Sequence, residues 1–276
     1  MLPTDIHDDV RHALAEDIGS GDLSAQLVPD AAAHADLVTR EDAVLCGTAW
    51  ADEVFRQLDA RVRVTWLKRD SEQIAAGSVI ARFDGPARAL LTGERCALNF
   101  LQALSGTATL TARYVDAVRG TSAKVLDTRK TIPGLRRAQK YAVTCGGGLN
   151  HRLGLYDAVL IKENHVAAAG SVAAALAQVR ALVAADIPVE IEVENLDQLR
   201  EAISAGATRI LLDNFNLKRL AAAVRETAGR ATLEASGGIT LDNIRAVAET
   251  GVDFISVGSL TKHLRAIDLS LRFLPH

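Results

Sequence analysis

From Lys124 onward the sequence repeats one unit, a short apolar strand, a polar strand end and a helix, and this period limits the folds open to the chain. The strands read KVLDT, AVLIK, VEIEVE, RILLDN, TLEASG and FISVG. They are apolar on both faces, as parallel strands covered by helices are. Their ends at Glu192, Asp213, Ser236 and Gly258 fall 21, 23 and 22 residues apart, room for one βα unit each. A closed barrel of eight units takes about 250 residues and roughly 140 are available here, so the expected architecture is an open, incomplete α/β barrel of about six or seven strands. A doubly wound sheet is the competing arrangement; no GxGxxG follows any strand to support it.

The first half reads differently. Ile6, Val10, Ala13 and Leu14 recur at helical spacing and the run stops at Gly19, which predicts an opening amphipathic helix. ADLVTR, AVLCG, RVRVTWLKR and SVIARFDG are short branched runs punctuated by Gly and Asp, with a helix expected from Ala49 to Leu58. Thr92 and Glu94 suit the first turn of a long helix that runs through LNFLQALSGTATLTARYVDAV, whole or broken near Gly106. The expected domains are a mixed sheet with helices on it over residues 1–110, with 262–276 packing back on it, and the open barrel over 111–261. In the barrel, Ser171, Asn195 with Gln198, Asn216 and Thr240 are the expected N-caps. Gly206 and Gly251 are the expected left-handed helix ends.

Ligands of parallel α/β folds sit at the carboxyl ends of the strands, where loops and helix starts converge. Those ends carry Asp127, Arg129, Lys130, Lys162, Glu192, Asp213, Ser236 to Gly238 and Gly258. The stretch from Asp127 to His165 holds seven Lys or Arg side chains against three acids, in a chain whose net charge is −3. Such a local cationic block among glycines suits a small polyanion. Arg129 and Arg152, beside Gly134 and the Gly146 to Gly148 run, suit a dicarboxylate, since a guanidinium grips a carboxylate through two parallel hydrogen bonds. His151 and Lys162 add donors, while Arg136 and Arg137 are read as surface ion pairs. Glu192 and Asp213 face this cationic set and make sense with a hard divalent cation brought in by a phosphorylated substrate, or as neutralisers of Lys130 and Lys162. Glu190, Glu192 and Glu194 share one strand face, so spacing alone does not choose among them. The Ser236-Gly237-Gly238 and Val257-Gly258-Ser259 turns offer backbone N–H groups to a phosphate.

Other classes are disfavoured. An aromatic content of 4% and a near-neutral charge leave little for nucleic acid to bind. No apolar run reaches the roughly 20 residues of a membrane span, and a cytoplasmic protein is expected. Cys46, Cys96 and Cys145 form no close sequence pair and are read as buried small residues.

The segments EDIGSGDLS, ERCALNFLQALSGTAT, DTRKTIPGLR, KYAVTCGGGLNHRLGLYDAVLIKENH, EIEVENLDQL, LLDNF, LEASGGI and GVDFISVGSLT resemble, in order, the successive motifs of the quinolinate phosphoribosyltransferase family. The resemblance implies an N-terminal α/β sandwich domain beside the open α/β barrel, and a pentosyltransferase of NAD biosynthesis. It would join quinolinate and phosphoribosyl pyrophosphate with Mg²⁺, releasing pyrophosphate and carbon dioxide and forming nicotinate mononucleotide. It also implies a homodimer with a shared active site, in which Arg95 reaches across to the partner's quinolinate. Arg129, His151, Arg152 and Lys162 would hold the two carboxylates. Thr128 joins the binding set, Lys130 meets the pyrophosphate, Glu192 and Asp213 meet ribose and metal, and the Ser236 and Gly258 turns meet the terminal phosphate. Ile132, Thr144, Lys262 and His263 depart from the family pattern; the last two leave the phosphate end open. Alternatives are a related transferase with another acceptor and a non-catalytic binding protein.

Overall fold

The computed structural model describes residues 1–275. The chain begins α1 (Ile6–Ile18), β1 (Ala32–Thr39), β2 (Ala43–Val44), α2 (Thr48–Leu58), β3 (Arg63–Trp66), β4 (Gln73–Ile74), β5 (Val79–Pro86) and α3 (Ala87–Ala117). It continues through β6 (Lys124–Leu126), α4 (Arg136–Cys145), β7 (Val159–Ile161), α5 (Glu163–Ala169), α6 (Val172–Leu182), β8 (Val189–Val193), α7 (Leu196–Ser204) and β9 (Arg209–Asp213). Last come α8 (Leu217–Thr227), β10 (Thr232–Ser236), α9 (Ile244–Ala248), β11 (Phe254–Ser256), α10 (Ser259–Lys262) and β12 (Leu269–Phe273).

These elements form two compact units, one of residues 1–112, 131–147 and 260–275 and the other of 113–130 and 148–259. The segment 131–147, placed by sequence in the second domain, belongs to the first. Its helix α4 buries Ala138, Ala142, Val143 and Cys145 on one face, and Ala138, Ala142 and Cys145 join the first unit's apolar core.

In the first unit β12, β1, β5 and β3 form an antiparallel sheet, so the C-terminal strand completes a sheet begun by the N-terminal half. Alternation along β1 turns Ala33, Ala35 and Leu37 inward. Trp50, Val54 and Phe55 line the buried face of α2, and Trp50 donates its indole N–H to Asp9 of α1 at 3.0 Å. α3 is one unbroken helix of 31 residues, starting five residues before the expected Thr92 because Pro86 closes β5 immediately ahead of it. Ser105 on α3 accepts the Cys46 N–H at 2.9 Å and donates to the Cys46 carbonyl at 3.0 Å, satisfying a buried stretch that leaves its strand.

The second unit holds six parallel strands in the order β6, β11, β10, β9, β8, β7. β6 and β7 end the row without pairing to each other, which leaves the ring open as expected. Ile210 and Leu212 of β9 are fully buried on one face and Leu211 on the other, the double burial of a parallel strand. Ser171, Asn195 and Asn216 cap α6, α7 and α8. Gln198 takes the Glu194 N–H, one residue before the expected cap. Thr240 is not a cap: α9 starts at Ile244 after a turn.

Gly106 explains why α3 does not break. A Cβ there would lie 2.2 Å from the Arg265 carbonyl oxygen. Gly to Ala in a helix is normally worth about 1 kcal/mol in favour of Ala, but here the overlap reverses the sign. Gly106→Ala should lower stability by about 1–3 kcal/mol, read as a reduced urea midpoint; a raised midpoint would refute the close packing.

Candidate active site

The carboxyl ends of the six strands surround a cavity of about 370 Å³. Inward-facing positions alternate as a pleated strand requires. Leu160, Glu192, Leu211, Glu234 and Ser256 come from strands β7 to β11, Ser236 ends β10, and Lys162 follows β7. Thr128, Arg129 and Lys130 enter from the loop after β6, and His151 and Arg152 from the segment after α4. Eight of the sequence-read site residues therefore line one space: Thr128, Arg129, Lys130, His151, Arg152, Lys162, Glu192 and Ser236.

The remaining candidates take other positions. Asp213 ends β9 beside Ser236 in register and accepts the Asn214 side-chain N–H at 2.7 Å. Gly237 has φ +98°, and a Cβ there would meet Asn214 Oδ1 at 2.1 Å, so only glycine fits this turn. Gly238 also has positive φ. A Cβ on Gly258 would lie 3.1 Å from the Lys130 side chain, so Gly258 floors that lysine. Val257 is buried and its N–H donates to Leu126 O at 2.9 Å. Ser259 meets Tyr114 through their hydroxyls at 3.2 Å. Arg95 is exposed on the part of α3 that belongs to the first unit. The helices after the two glycine turns are short, five residues in α9 and four in α10, so donors for a phosphate would come from turn N–H groups more than from a helix dipole.

A buried carboxylate positions the cationic wall. Asp127, at the end of β6, is fully buried. It accepts the His151 N–H at 2.8 Å and the Asn150 side-chain N–H at 2.6 Å, fixing the segment that carries Arg152. Arg152 donates to Ala158 O at 3.2 Å. Burial first, then the neighbouring Arg129, pull Arg152 below the usual guanidinium range, although it remains charged at neutral pH. Lys162 caps α5, and its backbone N–H donates to His165 Nδ1 at 2.9 Å.

The acids of the cavity begin beside Lys162. Glu192 lies 3.6 Å from the Lys162 ammonium. Burial raises its pKa, Lys162 opposes the rise, and Asp213 adds to it. Two partly desolvated carboxylates at the ends of adjacent strands are hard oxygen donors whose mutual repulsion a divalent cation would relieve. Of the three glutamates on β8 and its end, Glu190 is buried, Glu192 enters the cavity and Glu194 is exposed.

Sequence reading did not select Glu190 or Glu234. His151 Nε2 lies 2.9 Å from Glu190 and 3.5 Å from Glu234. The three offer ligand atoms within 4.8 Å of one another, an arrangement also found at Cys46, Asp70 and Cys145 in the first unit. Burial, then Glu190, push the Glu234 carboxyl up to about 7, against the pull of His151, Ser256 and Arg209. The available signal was an acid between the apolar Leu233 and Ala235 at the centre of the TLEAS strand.

Profiles of the quinolinate phosphoribosyl transferase N-terminal and C-terminal domains match residues 22–105 and 107–272. The chain is 46% identical over 274 residues to the nicotinate-nucleotide pyrophosphorylase [carboxylating] of Mycobacterium leprae, covering 96% of this chain and 95% of that one. It is 43% identical over 263 residues to the probable nicotinate-nucleotide pyrophosphorylase [carboxylating] of Bacillus subtilis, covering 95% and 91%. The solved nicotinate-nucleotide pyrophosphorylase of Francisella tularensis is similar over 99% of this chain and 98% of its own, with TM-score 0.95 and 49% identity.

Glu234 has a folded pKa raised from 4.5 to about 7. It takes up a proton on folding between those values, so stability falls as pH rises through that window. Glu234→Gln removes this term. The variant should gain on the order of 2–3 kcal/mol relative to the parent on going from pH 5 to pH 8, measured by urea unfolding. Parallel pH profiles for the two proteins would contradict the assignment.

Proposed function

Because the chain belongs to the quinolinate phosphoribosyltransferase family, we propose that it transfers the phosphoribosyl group of phosphoribosyl pyrophosphate to quinolinate with loss of carbon dioxide. The products are nicotinate mononucleotide and pyrophosphate, a step of de novo NAD biosynthesis. The observation that carries the reading is a single cavity lined by Arg129, Arg152 and Lys162 and by Glu192. Two guanidiniums suit two carboxylates, and an acidic face suits a sugar that becomes cationic.

Each step follows from charge. Arg129 and Arg152 hold the quinolinate carboxylates and aim the ring nitrogen at the anomeric carbon. As the carbon–oxygen bond to pyrophosphate breaks, positive charge grows on the ribose, and Glu192 and Asp213 stabilise it. Lys130, seated on Gly258, meets the departing pyrophosphate, while the Gly237 and Gly238 turn offers N–H groups to the 5′-phosphate. Glu192 and Asp213, completed by substrate oxygens and water, are the residues that would hold Mg²⁺, which when bound neutralises the leaving anion. Once the ring nitrogen is alkylated its positive charge favours loss of the adjacent carboxylate as carbon dioxide, and nearby cations stabilise the carbanion left behind until it takes a proton from water to become the ring C–H. No side-chain nucleophile is required. Arg95, exposed on α3, is assigned to the quinolinate of a partner subunit in a homodimer.

Purified protein given both substrates and Mg²⁺ should release carbon dioxide and pyrophosphate in equal amounts; release of neither would end this reading. Arg152→Ala should raise the quinolinate KM on the order of 100-fold with an unchanged circular dichroism spectrum. Unchanged kinetics would remove the dicarboxylate role. Arg95→Ala and Lys162→Ala chains, each inactive alone, should regain about a quarter of the parental activity after subunit exchange, because half the mixed dimers' sites are rebuilt intact. No recovery after demonstrated exchange would refute the shared site.

A further inference from the structure

We propose that Glu190 and Glu234 are positioning residues of this reaction: they hold His151 as a neutral imidazole with its proton on Nε2, and that ring fixes Arg152 for the substrate. The inference rests on the quinolinate-binding role given to Arg152 above and adds three residues that act through it.

The tautomer follows from donor and acceptor accounting. The Arg152 backbone N–H points at His151 Nδ1 over 2.7 Å. A backbone N–H only donates, so Nδ1 presents a lone pair and carries no proton. The proton of the ring therefore sits on Nε2, which faces Glu190 at 2.9 Å and Glu234 at 3.5 Å. The three side chains expose 11%, 6% and 1% of their surface, so water does not take over these contacts. Both ring nitrogens are thus engaged by protein. A cationic imidazole would have to give up the Arg152 N–H, and with it the position of the arginine.

The surroundings point the same way. Glu190 and Glu234 project from β8 and β10, the strands on either side of β9. Glu190 accepts from the imidazole at 2.9 Å, and Glu234, whose proton affinity burial and then Glu190 raise, is its second neighbour at 3.5 Å. Asp127 fixes the backbone of the same residue, His151, from the other side. The ring and its carboxylates therefore work as a brace beneath the cationic wall.

Steady-state kinetics with each substrate varied separately, on the full-length protein with Mg²⁺, test the brace. Glu190→Leu removes the acceptor and should raise the quinolinate KM by about 30-fold, as a misplaced binding group does, with the phosphoribosyl pyrophosphate KM changed less than about 3-fold. Glu190→Gln keeps an acceptor and should recover at least about 10-fold of that loss. Equal losses in the two variants, or equal effects on both substrates, would overturn the inference. If Glu190→Leu does not fold, long-range ¹H–¹⁵N spectra of the histidine-labelled parent at pH 7.5 decide. The resonance that disappears in His151→Gln should show a protonated Nε2 and a bare Nδ1, and an imidazolium or the opposite tautomer would overturn it. The functional reading fails separately, through an inactive parent or an Arg152→Ala variant with normal quinolinate KM.

Discussion

One buried carboxylate organises the site. Asp127 has no exposed surface and sits where β6 ends, yet it accepts hydrogen bonds from a segment more than twenty residues later in the chain. An ionised group in that position is tolerable only when its oxygens are satisfied. The requirement binds Asn150 and His151 to the strand end. Arg152 follows directly, and Arg129 leaves the same strand on the next turn of chain. The juxtaposition of two guanidiniums is thus built into backbone geometry around a single acid, and long flexible side chains do not have to find one another.

The same logic runs around the ring. Each parallel strand delivers one polar side chain at its carboxyl end because pleating alternates inward and outward positions. Positions beneath are apolar or, at Glu190 and Glu234, tied to the ring of His151. An open ring of six strands suffices, since the residues needed come from every strand present. The paired edges matter less than the register, which sets Asp213 level with Ser236 and Glu192 level with Leu211.

Much of this was legible before any coordinates. The doubly apolar strands and their near-constant spacing give the parallel ring, and polar residues at strand ends are conspicuous against such strands, so the cationic stretch could be read directly, whereas choosing Glu192 over Glu190 and Glu194 took the burial of each. The failures have physical causes. The start of α3 was misplaced because Thr92 and Glu94 mimic an N-terminus, while Pro86 was the better signal. Residues 131–147 were assigned by chain order, but packing is decided by the apolar face of α4, whose partners lie in the distant N-terminal half. Glu234 escaped because a strand-centre acid looks like a burial fault until its partner is known, and the partner, His151, lies eighty-three residues earlier. Non-local pairing of this kind leaves no periodic trace.

The site is electrostatically uneasy in a patterned way. Burial first, then Arg129, lowers the proton affinity of Arg152; burial raises that of Glu192, Lys162 opposes the rise and Asp213 adds to it. Arg129 and Asp213 each act there as a like charge held closer than it would stand in water. A fold selected for stability alone would separate them. Here each repulsion is answered by a part of the proposed substrates, a dianion between the guanidiniums and, with a divalent cation, a ribose cation before the carboxylates. Binding therefore relieves stress that the scaffold imposes, and the relief at the acids is greatest when charge on the ribose is greatest. That asymmetry between bound substrate and reacting substrate is what turns a charged pocket into a catalyst. It requires the walls to stay fixed while the charge moves, which is the task the buried network of Asp127, His151, Glu190 and Glu234 is placed to perform.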